Sequence, residues 1–322
     1  MLLLKAIFDR LVHTVILVVA VIVFNFGLIH LAPGGPIQAI VGEMGGVTPQ
    51  ILAQLRHAYG LDKTLPQQLW IYLSRVLRGD LGVSYYFNKP VTSLIAERLP
   101  ATLLLVITAL ILAIVVGTLL GIIAARRPNG IGSHIITIFS LAGYSAPIFW
   151  TGLLAILLFA AVVPIFPVGG MRSVTAIGFS PLDVARHLVL PALTLAIVYL
   201  AQYSRLARAS MLEVLTADYV RTARAKGLPE WVVIYKHALR NAVLPVVTVG
   251  GLQFSQVLAG AVLTETVFNW PGMGRLAYDS ILRRDTPTIL GILIFSSIVV
   301  IVVNILTDLA YRLIDPRIGT SA

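Results

Sequence analysis

The chain has 322 residues, 58% of them apolar and 12% charged, with a mean hydropathy of +0.91 and a formal charge of +10. A soluble globular domain carries about twice that charged fraction, so the composition excludes one and describes an all-α polytopic membrane protein. The absence of cysteine removes a disulfide framework, a thiolate metal site and a cysteine nucleophile; the positive charges sit between apolar runs, where lipid headgroups and membrane orientation use them, and do not describe a nucleic-acid surface.

A helix needs roughly 20 apolar residues to cross the hydrocarbon core. Six stretches qualify: 11–32, 101–125, 134–163, 188–206, 242–264 and 289–311. The first is too long for a signal-peptide core, and no small-residue cleavage site follows it. The third contains Pro147, which predicts a kink or tilt. The organisation read from this pattern is a cytoplasmic N-terminus with span one (1–32), a loop domain (33–100), a five-helix core (101–311) enclosing a polar loop (207–241), and a short tail (312–322).

The long loop is expected to fold. Thr48-Pro49 opens a helix near 48–59 that Gly60 closes, with Ile51, Leu52, Leu55 and Tyr59 on one face. Thr64 and Pro66 start a second helix, near 66–78, that ends at Gly79, with Leu69, Leu73, Val76 and Leu77 along one side. That apolar face packs on the chain's own bundle or docks an external partner. Six spans place both termini on one side. Lys5, Arg10, Arg126, Arg127, Arg205, Arg208, Arg221, Arg224, Lys226, Lys236, Arg240, Arg312 and Arg317 fall on that side. The short loops opposite hold only Arg172, Arg186, Arg275, Arg283 and Arg284. The positive-inside rule makes the richer side cytoplasmic and the 33–100 loop extracytoplasmic.

Several chemistries are missing. There is no GxxxxGK[ST] phosphate loop, no HExxH, no GxSxG and no metal-spaced cluster. The six histidines are scattered and read as structural. Ion-coupled carriers place carboxylates at mid-membrane; here Glu265 and Asp308 are the acids in or beside a span, each near an end. An ion-coupled secondary carrier, the alternative transport class, is thus poorly supported. An integral membrane enzyme would need convergent polar residues that the pattern does not supply.

The stretch "DYVRTARAKGLPEWVVIYKHALRNAVLP", 218–245, is polar and non-spanning. Asp218 to Lys226 reads as a short helix with Tyr219, Val220 and Ala223 inward and Arg221 and Arg224 outward. Gly227 ends it and Pro229 starts the next, with Glu230 in the first turn against the helix dipole. There Trp231, Ile234, Tyr235, Ala238 and Ala242 form the predicted apolar face; Val233, Lys236, His237 and Arg240 form the other. The product is either a compact knob that meets a partner or an amphipathic pair lying on anionic headgroups.

The same stretch resembles the EAA loop of ABC-importer permeases, EAA-x3-G-x9-I-x-LP. Arg221-Thr222-Ala223 takes the EAA place, Gly227 the glycine and His237-Ala238-Leu239-Arg240 the I-x-LP place. It departs at Arg221, His237 and Arg240, with Leu244-Pro245 five residues on. "DYVRTARAKGL" with "HALRNAVLP" resembles the B-type permease of dipeptide, oligopeptide and nickel uptake systems. So do "GLDKTLPQQLWIYL", "RGDLGVSYYFNKPVTSLIAERLPATL" and "ETVFNWPGMGRLAYDSILRRDTP". The likeness begins near "LAPGGP", where Gly35 replaces the family's usual Asp.

The resemblance implies a type I ABC-importer permease core in a bacterial or archaeal cytoplasmic (inner) membrane. It implies a second homologous permease, two cytoplasmic ATP-binding subunits and an extracytoplasmic solute-binding protein as partners, with membrane lipid around the spans. ATP and Mg would be used by the partner ATPases, with no cofactor bound by this chain. It further implies that Arg221, Thr222, Ala223, Arg224, Gly227, Leu228 and His237 couple to an ATPase. Polar residues at membrane depth are Tyr144, Ser145, Tyr199, Gln202, Gln253 and Gln256. They either line a translocation path or hydrogen-bond between helices; Gln253 and Gln256, three apart, are read as sharing a face.

Overall fold

The computed structural model describes residues 2–31, 48–58, 61–84, 86–173, 178 and 180–314. Twelve helices make up these residues: α1 (Leu2–Leu31), α2 (Pro49–Ala58), α3 (Leu65–Leu77), α4 (Val91–Arg126), α5 (Ile131–Ser145), α6 (Ile148–Val162), α7 (Pro181–Leu215), α8 (Asp218–Ala225), α9 (Glu230–Ala242), α10 (Leu244–Val267), α11 (Met273–Leu282) and α12 (Thr286–Ile314). The only extended pairing among the described residues is one isolated bridge, Val83 with Pro90. The predicted stop at Gly60, the face positions Leu52, Leu55 and Tyr59, the departure at Gly35, the side chains of Asp308 and Arg312, and Arg317 lie outside what is described.

Three helices are long and apolar enough to cross a membrane unaided: α4, α7 and residues Thr286–Thr307 of α12. Two bent pairs pass the same length and hydropathy test only when taken together, α5 with α6 and α9 with the start of α10, and Val15–Leu31 of α1 is a shorter apolar stretch. Each of the six apolar segments of the sequence falls on one of these. The third segment is broken, not kinked: α5 and α6 meet at 105°. Ala146 is extended (ψ 132°) before Pro147, because the proline ring clashes with a helical residue ahead of it. The helices also overrun the segments. α4 starts at Val91 and carries Pro100 inside it, and α7 starts at Pro181 and carries Pro191.

The chain divides into two compact units, Met1–Leu99 with Leu276–Val302 and Pro100–Arg275 with Val303–Ala322. In the first, α3 packs on α1: His30 lies 2.9 Å from Gln68 Oε1, and Gln68 Nε2 donates to Leu61 O (3.3 Å) and Lys63 O (2.8 Å). Burial of Tyr72 on the inward face pushes its phenol up to about 12. Leu77, predicted on that face, is instead exposed, as is Trp70. The predicted glycine stop holds: Gly79 has φ +79° and donates to Val76 O (2.9 Å). Ser84 and Thr288 both donate to the buried Asp285 carboxylate, tying the 80–90 loop to the start of α12.

In the second unit α7 is the central helix, packed by α5, α6, α9 and α10. Its core joins Leu105, Val106 and Ala109 of α4, Leu195, Tyr199 and Tyr203 of α7, and Val246 and Val257 of α10. Gly117 and Gly121, four apart, bring α4 against α7 backbone to backbone. A Cβ on Gly117 would sit 2.8 Å from Leu200 O, and one on Gly121 would sit 2.9 Å from Arg208 N and closer still to Ser204 O. Small residues at this spacing let membrane helices touch where no hydrophobic drive exists between them.

The stretch 265–288, read as a short loop, contains α11. Ten residues are too few to register as a span. It is fixed by Glu265, which is fully buried: Thr102 Oγ1 donates to Glu265 Oε1 (2.6 Å) and Arg275 N to Oε2 (3.0 Å). Trp270, also fully buried, donates from Nε1 to Ala101 O (2.9 Å). A Cβ at 272 would overlap the Glu265 carboxylate, so a side chain there would push that carboxylate off its partners.

Candidate functional site

α7 runs past its apolar part to Leu215, and Thr216 and Ala217 turn the chain by donating to Glu213 O and Val214 O. α8 follows for eight residues. Lys226 N donates to Thr222 O (3.1 Å) and Gly227 N to Arg224 O (2.9 Å), and Gly227 takes φ +74°. Pro229 then opens α9 at its first turn, so a left-handed glycine and a proline reverse the chain between two short helices.

Three ties close the reversal. Arg224 grips Glu230 with two nitrogens, Nη2 to Oε1 at 2.9 Å and Nε to Oε2 at 3.3 Å. Asn241 donates to the Tyr219 hydroxyl (2.8 Å), linking the far end of α9 to α8. Beneath both helices Val220, Ala223, Val233, Ile234, Ala238 and Ala242 pack onto Ile122 and Ala125 of α4 and Met211 of α7. The two helices are thus one knob, bolted to the ends of two spans. The hydrogen bond from Arg224 holds the Glu230 carboxyl below the usual carboxylate range, and the same bond pushes the Arg224 guanidinium up.

The predicted inner face of α9 needs correction. Val233 and Ile234 are both buried, whereas Trp231 is 66% and Tyr235 45% exposed. The cause is a π-helical turn over Val233–Ala238, whose wider loop of backbone shifts the phase by one residue. Val233 to Ala238 then spans one turn, and the aromatic pair rotates outward. On α8, Val220 and Ala223 face in as expected, while Tyr219 is half exposed.

Of the residues matched to the coupling motif, Arg221, Thr222, Arg224, Gly227 and Leu228 are exposed at the outer surface of the knob. Ala223 points into the packed cluster and His237 is half-buried on the π turn. Arg221 pairs loosely with Asp218 (3.7 Å) across an exposed turn, and Thr222 returns its hydroxyl to Asp218 O (2.9 Å).

The membrane-depth polar residues separate into two groups. Along the seam of α7 and α10, Gln253 donates its amide to Gln202 Oε1, and the Tyr199 hydroxyl donates to Gln256 O (2.7 Å). Gln253 is buried but the Gln256 side chain is exposed, so the two do not share an environment. Three helical steps leave side chains about 60° apart, enough to put one in the seam and one outside. Tyr144 and Ser145 sit apart at the end of α5, both exposed, with the Arg205 guanidinium 5.5 Å from the Tyr144 ring centre. Neither the burial of Asp285 nor the Gly117/Gly121 contact follows from hydropathy; the four-residue glycine spacing is the sequence signal for the contact.

Residues 117–320 match the family described as "Binding-protein-dependent transport system inner membrane component", and residues 3–106 match its N-terminal membrane component. The chain is 43% identical over 309 residues to a probable peptide ABC transporter permease of Sinorhizobium fredii, covering 96% of this chain and 97% of that one. It is 43% identical over 315 residues to the di/tripeptide transport permease DppB of Pseudomonas aeruginosa (92% and 94% covered). It is 42% identical over 320 residues to the dipeptide transport permease DppB of Escherichia coli K12 (93% and 94% covered). Among solved structures, the MetNI methionine ABC transporter in inward-facing form matches with a TM-score of 0.55 at 16% identity, over 69% of this chain and 96% of that one; this shows a common fold. The chain belongs to the binding-protein-dependent transport system inner membrane component family: it is a multi-pass permease subunit of an ABC importer, a non-catalytic part of an assembly in which ATP hydrolysis resides in separate proteins.

Proposed function

We propose that this chain forms one half of a peptide translocation pathway and that the knob of α8 and α9 receives force from an ATP-binding subunit. The carrying observation is the hydrophobic cluster that joins Val220, Val233 and Ile234 of the knob to Ile122 and Met211 at the ends of α4 and α7. A push on the outer surface, at Arg221, Thr222, Arg224, Gly227 and Leu228, passes to both spans through packed side chains. Ala223 serves from beneath, and His237 lies on the π turn. Peptide as cargo rests on the names of the relatives at 42–43% identity. A second homologous permease completes the path, two ATP-binding subunits supply ATP and Mg chemistry, and a solute-binding protein delivers the peptide on the other face. Tyr144, Tyr199, Gln202, Gln253 and Gln256 are the candidates for the path; Gln256 and Tyr144 present exposed side chains, and Gln202 and Gln253 bond to each other.

A ligand shifts a conformational equilibrium only by its difference in affinity for the two states. Rocking of the spans therefore depends on the ATP-binding subunits gripping the knob differently before and after hydrolysis. Reconstitution tests this in three steps: the chain alone, then with its second permease, then with ATP-binding subunits and binding protein. Peptide accumulation is expected only in the last mixture and only with hydrolysable ATP. Concentrative uptake by the lone chain on a pH or sodium step would overturn the reading. The same reading puts both termini and the knob in the cytoplasm and residues 33–100 outside. Single cysteines at Gln50 and Gln67, both exposed in a chain with no native cysteine, should react with an impermeant reagent on intact cells. Reaction only in inverted vesicles would reverse the topology.

A further inference from the structure

The face of α9 left outward by the π turn has a use that goes beyond coupling. Trp231, Tyr235, Arg240, Leu244 and Val247 are all exposed. Their steps of four, five, four and three residues make one stripe, because the five-residue step falls across the π turn. The stripe does not stop at the knob. α9 bends by 42° into α10, so the aromatic pair is followed by Leu244 and Val247, exposed at the start of a membrane helix. Whatever covers the apolar end of the stripe reaches Trp231 within four helical turns.

Charge points to the same occupant. Over residues 121–130 and 205–242 there are nine Lys and Arg against three acids. These residues gather at one end of the unit, where Arg208 donates to Pro128 O (3.2 Å) and the knob packs on Ile122 and Ala125. Lys236 is exposed beside Tyr235, and Arg240 lies on the stripe itself. Tryptophan and tyrosine settle at the level of lipid headgroups, and long basic side chains lay their stems along apolar surface while the charge reaches outward.

We propose that α9 is an anionic-lipid contact. Trp231 and Tyr235 sit at the boundary of headgroups and acyl chains, and Lys236 and Arg240 bind lipid phosphates. α9 thereby holds the knob at a fixed depth beneath the bilayer, a role distinct from the face of α8 that meets a partner protein.

The test uses the full chain without partner subunits, in nanodiscs of phosphatidylcholine alone or mixed equally with phosphatidylglycerol. A spin label on a single cysteine at 235 is compared with one at 221 for collision with oxygen and with a water-soluble nickel chelate. Oxygen should win at 235 and nickel at 221. Near an anionic surface each basic residue contributes about a fivefold gain in binding, so Lys236→Gln with Arg240→Gln should lower retained phosphatidylglycerol, counted by native mass spectrometry, by up to about 30-fold. Both positions are exposed, and the labelling arm keeps the native charges, so a misfolded double variant would leave the proposal testable. Equal nickel access at 235 and 221 in the anionic discs would overturn it. So would unchanged lipid retention in the double variant, or shielding of 235 that appears only when ATP-binding subunits are added, which would assign the stripe to a protein.

Discussion

Replacing Gly227 separates backbone strain from side-chain contact in the knob. Gly227 has φ +74°, and a Cβ built there would meet nothing within 4 Å. A substitution therefore costs nothing in collisions with neighbours, and the whole penalty is that of a left-handed conformation, about 1–2 kcal/mol for an L residue. Asparagine tolerates this region best and a β-branched residue worst. Against the strain stands the burial of Val220, Val233 and Ile234, all at most 2% exposed. At about 1.5–3 kcal/mol for each such side chain, they contribute about 4.5 kcal/mol or more. Burial wins, so the knob stays folded in Gly227→Val and opens more often: 1–2 kcal/mol raises the open fraction about 5- to 30-fold. Hydrogen exchange of peptides covering 218–242 should accelerate by that factor, in the order Gly, Asn, Ala, Val. Uptake per ATP hydrolysed by the reconstituted importer should fall in the same order. Exchange and coupling unchanged in Gly227→Val would refute the strain argument, and so would a larger effect for Ala than for Val.

Glu265→Ala removes the acceptor for the Thr102 hydroxyl and the Arg275 N–H in a fully buried site, and should lower stability by about 2–4 kcal/mol. Thermal unfolding of the purified chain in detergent measures this, with Glu265→Gln losing less; a shift under about 0.5 kcal/mol for the alanine variant would show that the contact does not hold the turn. The Arg224–Glu230 tie gives a small effect with a definite pH sign. Glu230 has its folded carboxyl lowered by the Arg224 hydrogen bond, so the contribution is present above the ordinary carboxylate range and disappears as pH falls through the lowered value. The pair is half exposed, so a double-mutant cycle at neutral pH should give about 0.2–1 kcal/mol, vanishing under acid and shrinking in high salt. A coupling that grows on acidification would refute that assignment.

Hydropathy located every apolar segment, because a lipid-length run leaves its mark in composition alone. It did not set where helices end. α4 begins at Val91, ten residues before the run at 101–125, since the turns ahead of Pro100 bury Val91, Leu94 and Ile95 and so continue the helix past the apolar run. The 105° break at Ala146-Pro147 shows a different limit. Proline marks a boundary locally, but whether the chain tilts or turns across depends on what α5 and α6 pack against, and both pack on α7. The stretch at 265–288 was opaque because its organiser is a single carboxylate. Glu265 reads from sequence as an acid near the end of a span; only the fold reveals Thr102 bonded to it from 163 residues away.

The knob divides along the same line. Gly227 and Pro229 act through their own φ restrictions, so the break between α8 and α9 was readable residue by residue. The face of α9 was not. Periodicity assumes 3.6 residues per turn, and under that assumption Trp231 and Tyr235 belong inside with Ile234. The site beneath is bounded by Ile122, Ala125 and Met211. A π turn lets Val233 and Ile234 both enter it and leaves the two large aromatic rings outside. The widened turn is a solution to packing against two other spans, information that no window of local sequence contains. It also shapes the surface: the π turn leaves Trp231 and Tyr235 outward, at the head of the exposed stripe that runs to Val247.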